Sequence, residues 1–301
     1  MRDVSGKYNT LRTAKATATL KVSASTIQAI TSGNVPKADP LGVAKIAGVQ
    51  AAKNTSLIIP YCHQVPLDSV SVDIALQDSS ITVTSQVKAI WKTGVEMEAL
   101  VAASASALTL YDMLKIIDDE MELESVRLLE KKGGKSAMKE SGEQLSAAVL
   151  ILSDSVSRGE SKDSSGKLLT EKLRELKFNV LRTTVLPDDA GKIKAELLEL
   201  CDRQKVDLVM TTGGTGIGPR DVTPEATLEV IERRLPGVEE AVRKYGQDRI
   251  PMAMLSRGVV GVRGKTVIIN LPGSRGAVED GVQVLFPVII HTFRMLKGGK
   301  H

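Results

Sequence analysis

Two stretches of this 301-residue chain place reactive side chains at spacings that permit chemistry. In the second half, Thr211-Thr212-Gly213-Gly214-Thr215-Gly216 follows the apolar run Leu208–Met210, and Arg220-Asp221-Val222-Thr223-Pro224-Glu225 comes soon after. Glycines at a strand end let the backbone turn sharply and present N–H groups to an anion. Thr223 is a fitting cap and Pro224 a fitting first-turn residue, so a helix is expected to start there with its positive end towards the same mouth. Asp221 is then poised to hold Mg2+ against phosphates, unless it merely caps that helix. Asp188 in Pro187-Asp188-Asp189, Ser274 in Asn270-Leu271-Pro272-Gly273-Ser274, and Ser153-Asp154 each end a further β-rich run. A lone Asp after a strand is commonly a turn or cap residue. Ligands of parallel sheets sit at the carboxyl ends of strands, however, so these loops are expected to share one site.

In the first half, Asp112 and Lys115 are three residues apart and share a helix face. An exposed pair of this kind is usually a solvated ion pair. Lys92-Thr93-Gly94-Val95-Glu96-Met97-Glu98 opens the same helix, where the dipole alone favours glutamates. Between the two ends, Ala99 to Leu110 reads as a buried rod. Glu96 and Asp112 stand about 24 Å apart at ~1.5 Å rise per residue, too far for one small substrate to touch both in one chain. If both serve one site, that site lies between subunits. His63 stands beside Cys62 in the proline-flanked loop Ile59 to Pro66, with no other Cys or His near enough to complete a zinc set. Acid–base or phosphate work suits it better. Val126-Arg127-Leu128-Leu129 leads into the basic, glycine-rich Lys131-Lys132-Gly133-Gly134-Lys135, which is either a solvated domain end or a triphosphate clamp.

The elements that must position these residues form two different rhythms. Thr17 to Val22 alternates like a half-buried strand, Ser23 is placed to cap a helix to Thr31, and Leu41 to Thr55 is an Ala-rich helix. Val70 to Ala75 and Ile81 to Val87 bracket a turn and read as a hairpin, and Val95 to Ile117 is the longest helix. That set predicts an α+β unit. After a polar, glycine-bearing stretch, the runs Ala147 to Leu152, Val180 to Val185, Leu208 to Thr212 and Thr266 to Leu271 alternate with helices at Ser165 to Leu176, Ala190 to Cys201 and Pro224 to Ile231. That alternation predicts an α/β unit with a mostly parallel sheet flanked by helices. The expected organisation is residues 1–136, a linker at 137–145, and residues 146–301.

Composition narrows the function classes. A content of 42% hydrophobic and 25% charged residues excludes disorder over most of the chain. The apolar runs are far short of a membrane span, and aromatics at 3% with a net charge of +4 argue against nucleic acid. Two cysteines and no apolar core behind Met1 make a reducing cytoplasm the expected location. The dinucleotide motif Gly-x-Gly-x-x-Gly is absent from the first strand-to-helix turn, which disfavours an oxidoreductase.

With these motifs in view, the second half from about Ser146 to Lys300 resembles the molybdopterin adenylyltransferase family through Thr-Thr-Gly-Gly-Thr-Gly, Arg-Asp-Val-Thr-Pro-Glu and Asn-Leu-Pro-Gly-Ser. The resemblance implies joining of molybdopterin to AMP from ATP with release of pyrophosphate. It makes Asp221 and Asp188 the acidic catalytic positions and Gly213, Gly214, Thr215 and Gly216 the phosphate loop. It also places Ser274 in the site and implies Mg2+ and ATP. Residues 1 to 136 resemble cyclic pyranopterin monophosphate synthase. The matching stretches are Met1-Arg-Asp-Val-Ser, Lys37-Ala38-Asp39, Ala44 to Gly48, Cys62-His63, Lys92 to Glu98, Tyr111-Asp112-Met113 and Val126 to Lys135. That family converts 3′,8-cyclo-7,8-dihydroguanosine triphosphate, the cyclised GTP intermediate, into the cyclic pyranopterin with loss of pyrophosphate.

The second resemblance implies a ferredoxin-like α+β fold, a hexamer of dimers with shared sites, and no evident cofactor. It makes Asp112 and Lys115 the central acid–base pair, and assigns Lys37, Lys53, His63, Glu96, Glu98 and Lys131 to the same site. Cys-His-Gln stands where that family often has Cys-His-Pro, and Lys-Ala-Asp where it often has Lys-Gly-Asp. The combined expectation is a bifunctional enzyme of molybdenum cofactor synthesis forming a homo-oligomer, with a trimer tendency from the second half. The rival expectations are a second half that only binds or assembles molybdopterin, and a nucleotide-binding scaffold without catalysis.

Overall fold

The computed structural model describes residues 1–134 and 140–299 and divides the chain into two compact units, Met1–Ala137 and Met138–His301. The first unit runs β1 (Thr10–Lys21), α1 (Ala24–Thr31), α2 (Pro40–Lys53), α3 (Thr55–Ile58), β2 (Ser69–Leu76), β3 (Ser80–Trp91), α4 (Glu96–Leu114) and β4 (Glu122–Lys132). Its sheet has the order β2-β3-β1-β4 and is antiparallel throughout. Alternation explains which face is covered: Ala16, Ala18 and Leu20 of β1 and Ile81, Val83 and Val87 of β3 pack with Ala99, Ala103, Ala107 and Leu110 of α4. Small side chains bring the layers close, and the buried Ser85 hydroxyl donates to the Ala99 carbonyl at 2.6 Å. Ser23 caps α1 by accepting from Thr26 N.

Helix α2 starts just after Lys37, whose ammonium meets Asp112, and its Gly48 lies so near Ala102 and Ser106 that a Cβ there would meet Ser106 Oγ at 2.1 Å. The two helices therefore run antiparallel, and Lys53 at the far end of α2 lies towards the start of α4. Among the described residues, α4 alone is long and apolar enough to cross a membrane, and half of that stretch is buried in this core.

The second unit comprises β5 (Ser146–Leu152), α5 (Asp154–Ser157), α6 (Ser165–Glu175), β6 (Asn179–Leu186), α7 (Ala190–Leu198), β7 (Leu208–Thr212), α8 (Thr223–Leu228), β8 (Arg233–Arg234), α9 (Pro236–Gln247), β9 (Val260–Arg263), β10 (Thr266–Leu271), α10 (Arg275–Leu285) and α11 (Ile290–Leu296). A π turn at Glu199–Arg203 extends α7, and a 3-10 turn at Pro251–Leu255 precedes β9. The sheet order is β6-β5-β7-β10-β9-β8. The first four strands are parallel, and every residue of β7 and β10 is buried, as strands covered on both faces require. Val149, Met210 and Ile269 pack with Leu169, Leu173 and Val278 on one face; Leu150, Val209 and Ile268 pack with Ile193 and Leu197 on the other.

The structure adds detail to two of these expectations. The sheet is mixed, because β8 and β9 pair antiparallel at one edge. Two arginines and a Val-Gly-Val-Arg tetrad carry too little alternation to announce strands. The described part of the expected linker 137–145 is also not a free tether. Gly142 N donates to Leu176 O at 3.0 Å, Leu145 is buried in the second core, and Glu140 lies 3.2 Å from His291. This segment docks through its backbone, so it shows no apolar period; residues 137–139 lie outside the described residues.

Candidate functional site

A cavity of about 750 Å3 opens at the carboxyl ends of β5, β7 and β10 and is lined by the Gly213–Gly216 turn, Asp188, Asp221 and Ser274. The turn depends on glycine at Gly213, whose φ is +108° and where a Cβ would sit 2.1 Å from the Leu152 carbonyl oxygen. Gly213 N donates to Leu271 O at 3.0 Å, which ties β7 to the end of β10. The next three N–H groups, of Gly214, Thr215 and Gly216, have no acceptor among the described residues. Consecutive free N–H groups at a cavity wall form an anion cradle. Thr223 does not cap α8: its hydroxyl donates to Gly213 O at 3.0 Å and its N–H to Gly214 O at 3.2 Å, folding the helix start onto the turn.

The acidic residues are arranged around this cradle. Asp154 and Asp188 clasp each other: Asp154 N donates to Asp188 Oδ2 at 3.1 Å and Asp188 N to Asp154 Oδ1 at 3.0 Å. Asp188 Oδ1 is left buried with no hydrogen-bond partner among the described residues. Burial pushes the Asp188 carboxyl up, and the neighbouring Asp154 and Asp221 charges push it further, against the bond from Asp154 N. A lone buried carboxylate oxygen beside a row of free N–H groups is a donor waiting for a cation shared with an anion.

Asp221 is not the helix cap, which is Val222 without a side-chain bond; Asp221 Oδ2 accepts instead from Gly218 N at 2.8 Å, closing its own loop. Arg220 pairs with Asp154. Ser274 caps α10 by accepting from Ala277 N at 3.2 Å. Among the described residues no three His, Cys, Asp or Glu converge to hold a metal by themselves. The donors present, Asp188 first and Asp221 second, fit Mg2+ only where phosphate oxygens complete its shell.

The first unit brings its expected site residues together as two clusters. At the end of α4, Asp112 Oδ1 lies 2.8 Å from Lys115 Nζ and Oδ2 2.9 Å from Lys37 Nζ, and Lys37 also donates to Asp112 O at 2.8 Å. These bonds, from Lys115 first and Lys37 second, lower the Asp112 carboxyl to about 2, and Asp112 in turn raises Lys115. At neutral pH Asp112 is therefore the ionised acceptor and Lys115 carries the proton. At the start of α4, Lys131 lies 3.5 Å from Glu96. Glu98 is buried, and burial followed by the Glu96 charge raises its carboxyl. Burial and Glu98 likewise raise the Cys62 thiol, and His63 and Lys92 lie near Asp3. Lys53 is exposed, and Lys135 lies outside the described residues.

Two positioning arginines carry no motif and escape sequence reading. Arg12 donates to the carbonyls of Trp91 and Lys92 at 3.3 and 3.4 Å, bracing the approach to Glu96. Arg257 reaches into the glycine loop of the second unit, donating to Gly216 O and Asp221 O at 2.6 Å each. No local sequence signal marks either: Arg12 lies within β1, and Arg257 follows the Pro251–Leu255 turn.

The chain thus joins an α+β unit with lysine–carboxylate clusters to an α/β unit with a glycine turn at a cavity. Comparison with known proteins specifies the class. Residues 1–134 match the model described as the MoaC family, and residues 148–291 the model described as "Probable molybdopterin binding domain". The chain is 42% identical over its whole length to the molybdenum cofactor biosynthesis bifunctional protein of Chlorobaculum tepidum, covering 96% of it. The chain belongs to this family of bifunctional molybdenum cofactor biosynthesis proteins. The first unit is 50% identical over 136 residues to the cyclic pyranopterin monophosphate synthase of Novosphingobium aromaticivorans, 45% of this chain and 87% of that protein. The second is similar to the solved molybdopterin biosynthesis enzyme MoaB of Thermus thermophilus, at 41% identity, 52% of this chain, 98% of that one and a TM-score of 0.49.

Proposed function

We propose that the first unit converts the cyclised GTP intermediate to cyclic pyranopterin monophosphate with loss of pyrophosphate, and that the second adenylates molybdopterin with ATP. For the first unit the carrying observation is the Lys37–Asp112–Lys115 cluster. Lys115, kept protonated by Asp112, is the acid that delivers a proton to the substrate, and its conjugate base recovers one. Glu96, Glu98, His63, Lys53 and Lys131 bind at the opposite end of α4. The helix is too long for one substrate to join both ends, which supports a site shared between copies in a homo-oligomer, a hexamer from this half with a trimer tendency from the other. The strand–helix–strand–strand–helix–strand connectivity with order β2-β3-β1-β4 supports reading this unit as ferredoxin-like.

For the second unit the carrying observation is the Asp188 Oδ1 atom, without a partner among the described residues, beside the free N–H groups of Gly214–Gly216 in one cavity lining. Gly213–Gly216 hold the triphosphate, Ser274 lines the same mouth, and Asp188 with Asp221 would hold Mg2+, which offsets charge on the phosphates. A second reading, binding or assembly of molybdopterin without catalysis, is favoured by the lack of a three-carboxylate metal cluster among the described residues. Pyrophosphate release assayed with the cyclised GTP intermediate, and separately with molybdopterin and Mg-ATP, decides both proposals. Release in the first assay alone leaves the binding module.

A further inference from the structure

The glycine loop is open on one side to the cavity, is held at its start by Thr223, and is held at its end by Arg257. Arg257 follows the 3-10 turn Pro251–Leu255 and sits behind the loop. Its N–H donates to Thr215 O at 2.9 Å, its Nε to Gly216 O at 2.6 Å and its Nη2 to Asp221 O at 2.6 Å. Its Nη1 pairs with Glu225 in the first turn of α8, and this pair lowers the Glu225 carboxyl. One residue thus ties three separate pieces of chain: the start of the loop, its end at Asp221, and the following helix. In a trans peptide the C=O of one residue and the N–H of the next point in opposite directions. The backbone N–H of Arg257, on the Thr215 carbonyl, therefore turns the Gly216 N–H away from it, and the side chain, on the Gly216 and Asp221 carbonyls, turns the N–H groups of Ile217 and Val222 away. None of these three N–H groups has an acceptor among the described residues.

The geometry points to the Arg257 side chain as a positioning residue of the phosphate cradle: it acts from outside the ligand, fixing the end of the loop from Gly216 to Asp221 and with it the Asp221 carboxylate. This inference rests on the reading of the cavity as a nucleoside triphosphate site. A planar fork with donors in fixed directions suits spread acceptors, whereas the ammonium of lysine offers its donors from one point. Charge alone is therefore insufficient, and Arg257→Lys should behave like Arg257→Ala.

The test uses the full-length protein with three readouts: adenylation kinetics, binding of inorganic pyrophosphate, and hydrogen exchange of peptides spanning residues 211–225. In Arg257→Ala we expect kcat for adenylation to fall about 100-fold, the loss that a small misplacement of a preset site brings. Pyrophosphate affinity should fall about tenfold, and exchange in the loop should rise at least about tenfold while exchange in β5 and β10 is unchanged. Added guanidinium ion should restore part of the activity to Arg257→Ala, and Arg257→Lys should not. Wild-type kcat, KM and loop exchange in Arg257→Ala, or full activity in Arg257→Lys, overturns the inference. Should the wild-type protein show no adenylation while the variant still loses pyrophosphate binding and loop protection, the positioning role stands and the adenylation reading fails.

Discussion

The two units hold their carboxylates in opposite ways. In the first, Asp112 and its lysines are largely exposed and saturate one another, and the remaining site residues stand at the far end of α4. In the second, Asp188 and Asp221 line one cavity within a single chain, and one buried oxygen has no partner among the described residues. The backbone differs in the same sense. The tight turn of the second unit uses Gly213 and Gly214 at positive φ, while the turn that delivers Lys37 puts the Cβ-bearing Ala38 at φ +61°. On the proposed reading, the satisfied, exposed cluster becomes a site when a second copy closes over it. An unsatisfied, enclosed one needs only its ligand.

The largest expected effect lies in the first unit. Lys115→Ala should lower formation of the cyclic pyranopterin by about 1000-fold, within the range for loss of a general acid, with only a small fall in melting temperature because the ion pair it removes is exposed. Near-normal turnover would reduce the cluster to a surface ion pair. Next, Asp188→Asn should lower adenylation about 100-fold. The same change should stabilise the ligand-free protein. The Asp188 carboxyl is raised in the folded state, so its ionised form is penalised, and that penalty sets in as pH rises from 3.8 through the folded value. Melting curves at about pH 3 and about pH 7 should show the variant gaining on wild type only at the higher pH. Equal gains would mean that Asp188 is not strained by burial.

Much of this arrangement was legible in the sequence. Apolar alternation and β-branched runs marked β5, β6, β7 and β10, and the Gln77–Ser80 turn marked the hairpin, because burial on one or both faces dictates those residues. The strands β8 and β9 were illegible because pairing at a sheet edge needs little burial. The site motifs were legible as residue types but not as bonds. Nothing in Thr223-Pro224 says that the threonine folds back on Gly213, and nothing in Asp221 says that it closes on Gly218 rather than capping α8. Asp154 and Arg257 act through backbone partners 34 and 36 residues away, a relation that no local spacing encodes.

Smaller effects sharpen the contrast. Asp112 should titrate near 2 by carboxyl NMR and move towards 3.8 in Lys115→Ala, so the stability it contributes above pH 3.8 is lost as pH falls through 2. A midpoint at 3.8 in the unmutated protein would dissolve the cluster in solution. Ala38→Gly should relieve the left-handed strain and stabilise the first unit by about 1 kcal/mol. A destabilising glycine would mean that Ala38 leaves that conformation in solution.

Complementation between inactive chains tests the central contrast most directly. Lys115→Ala and Glu96→Gln chains, each inactive in pyranopterin formation, should recover about a quarter of wild-type activity when co-expressed and randomly paired, because each shared site draws one cluster from each copy. Asp188→Asn and Gly214→Val chains, treated the same way, should recover no adenylation, because both lesions fall in a cavity built by one chain. No recovery in the first pair, or recovery in the second, would contradict the account.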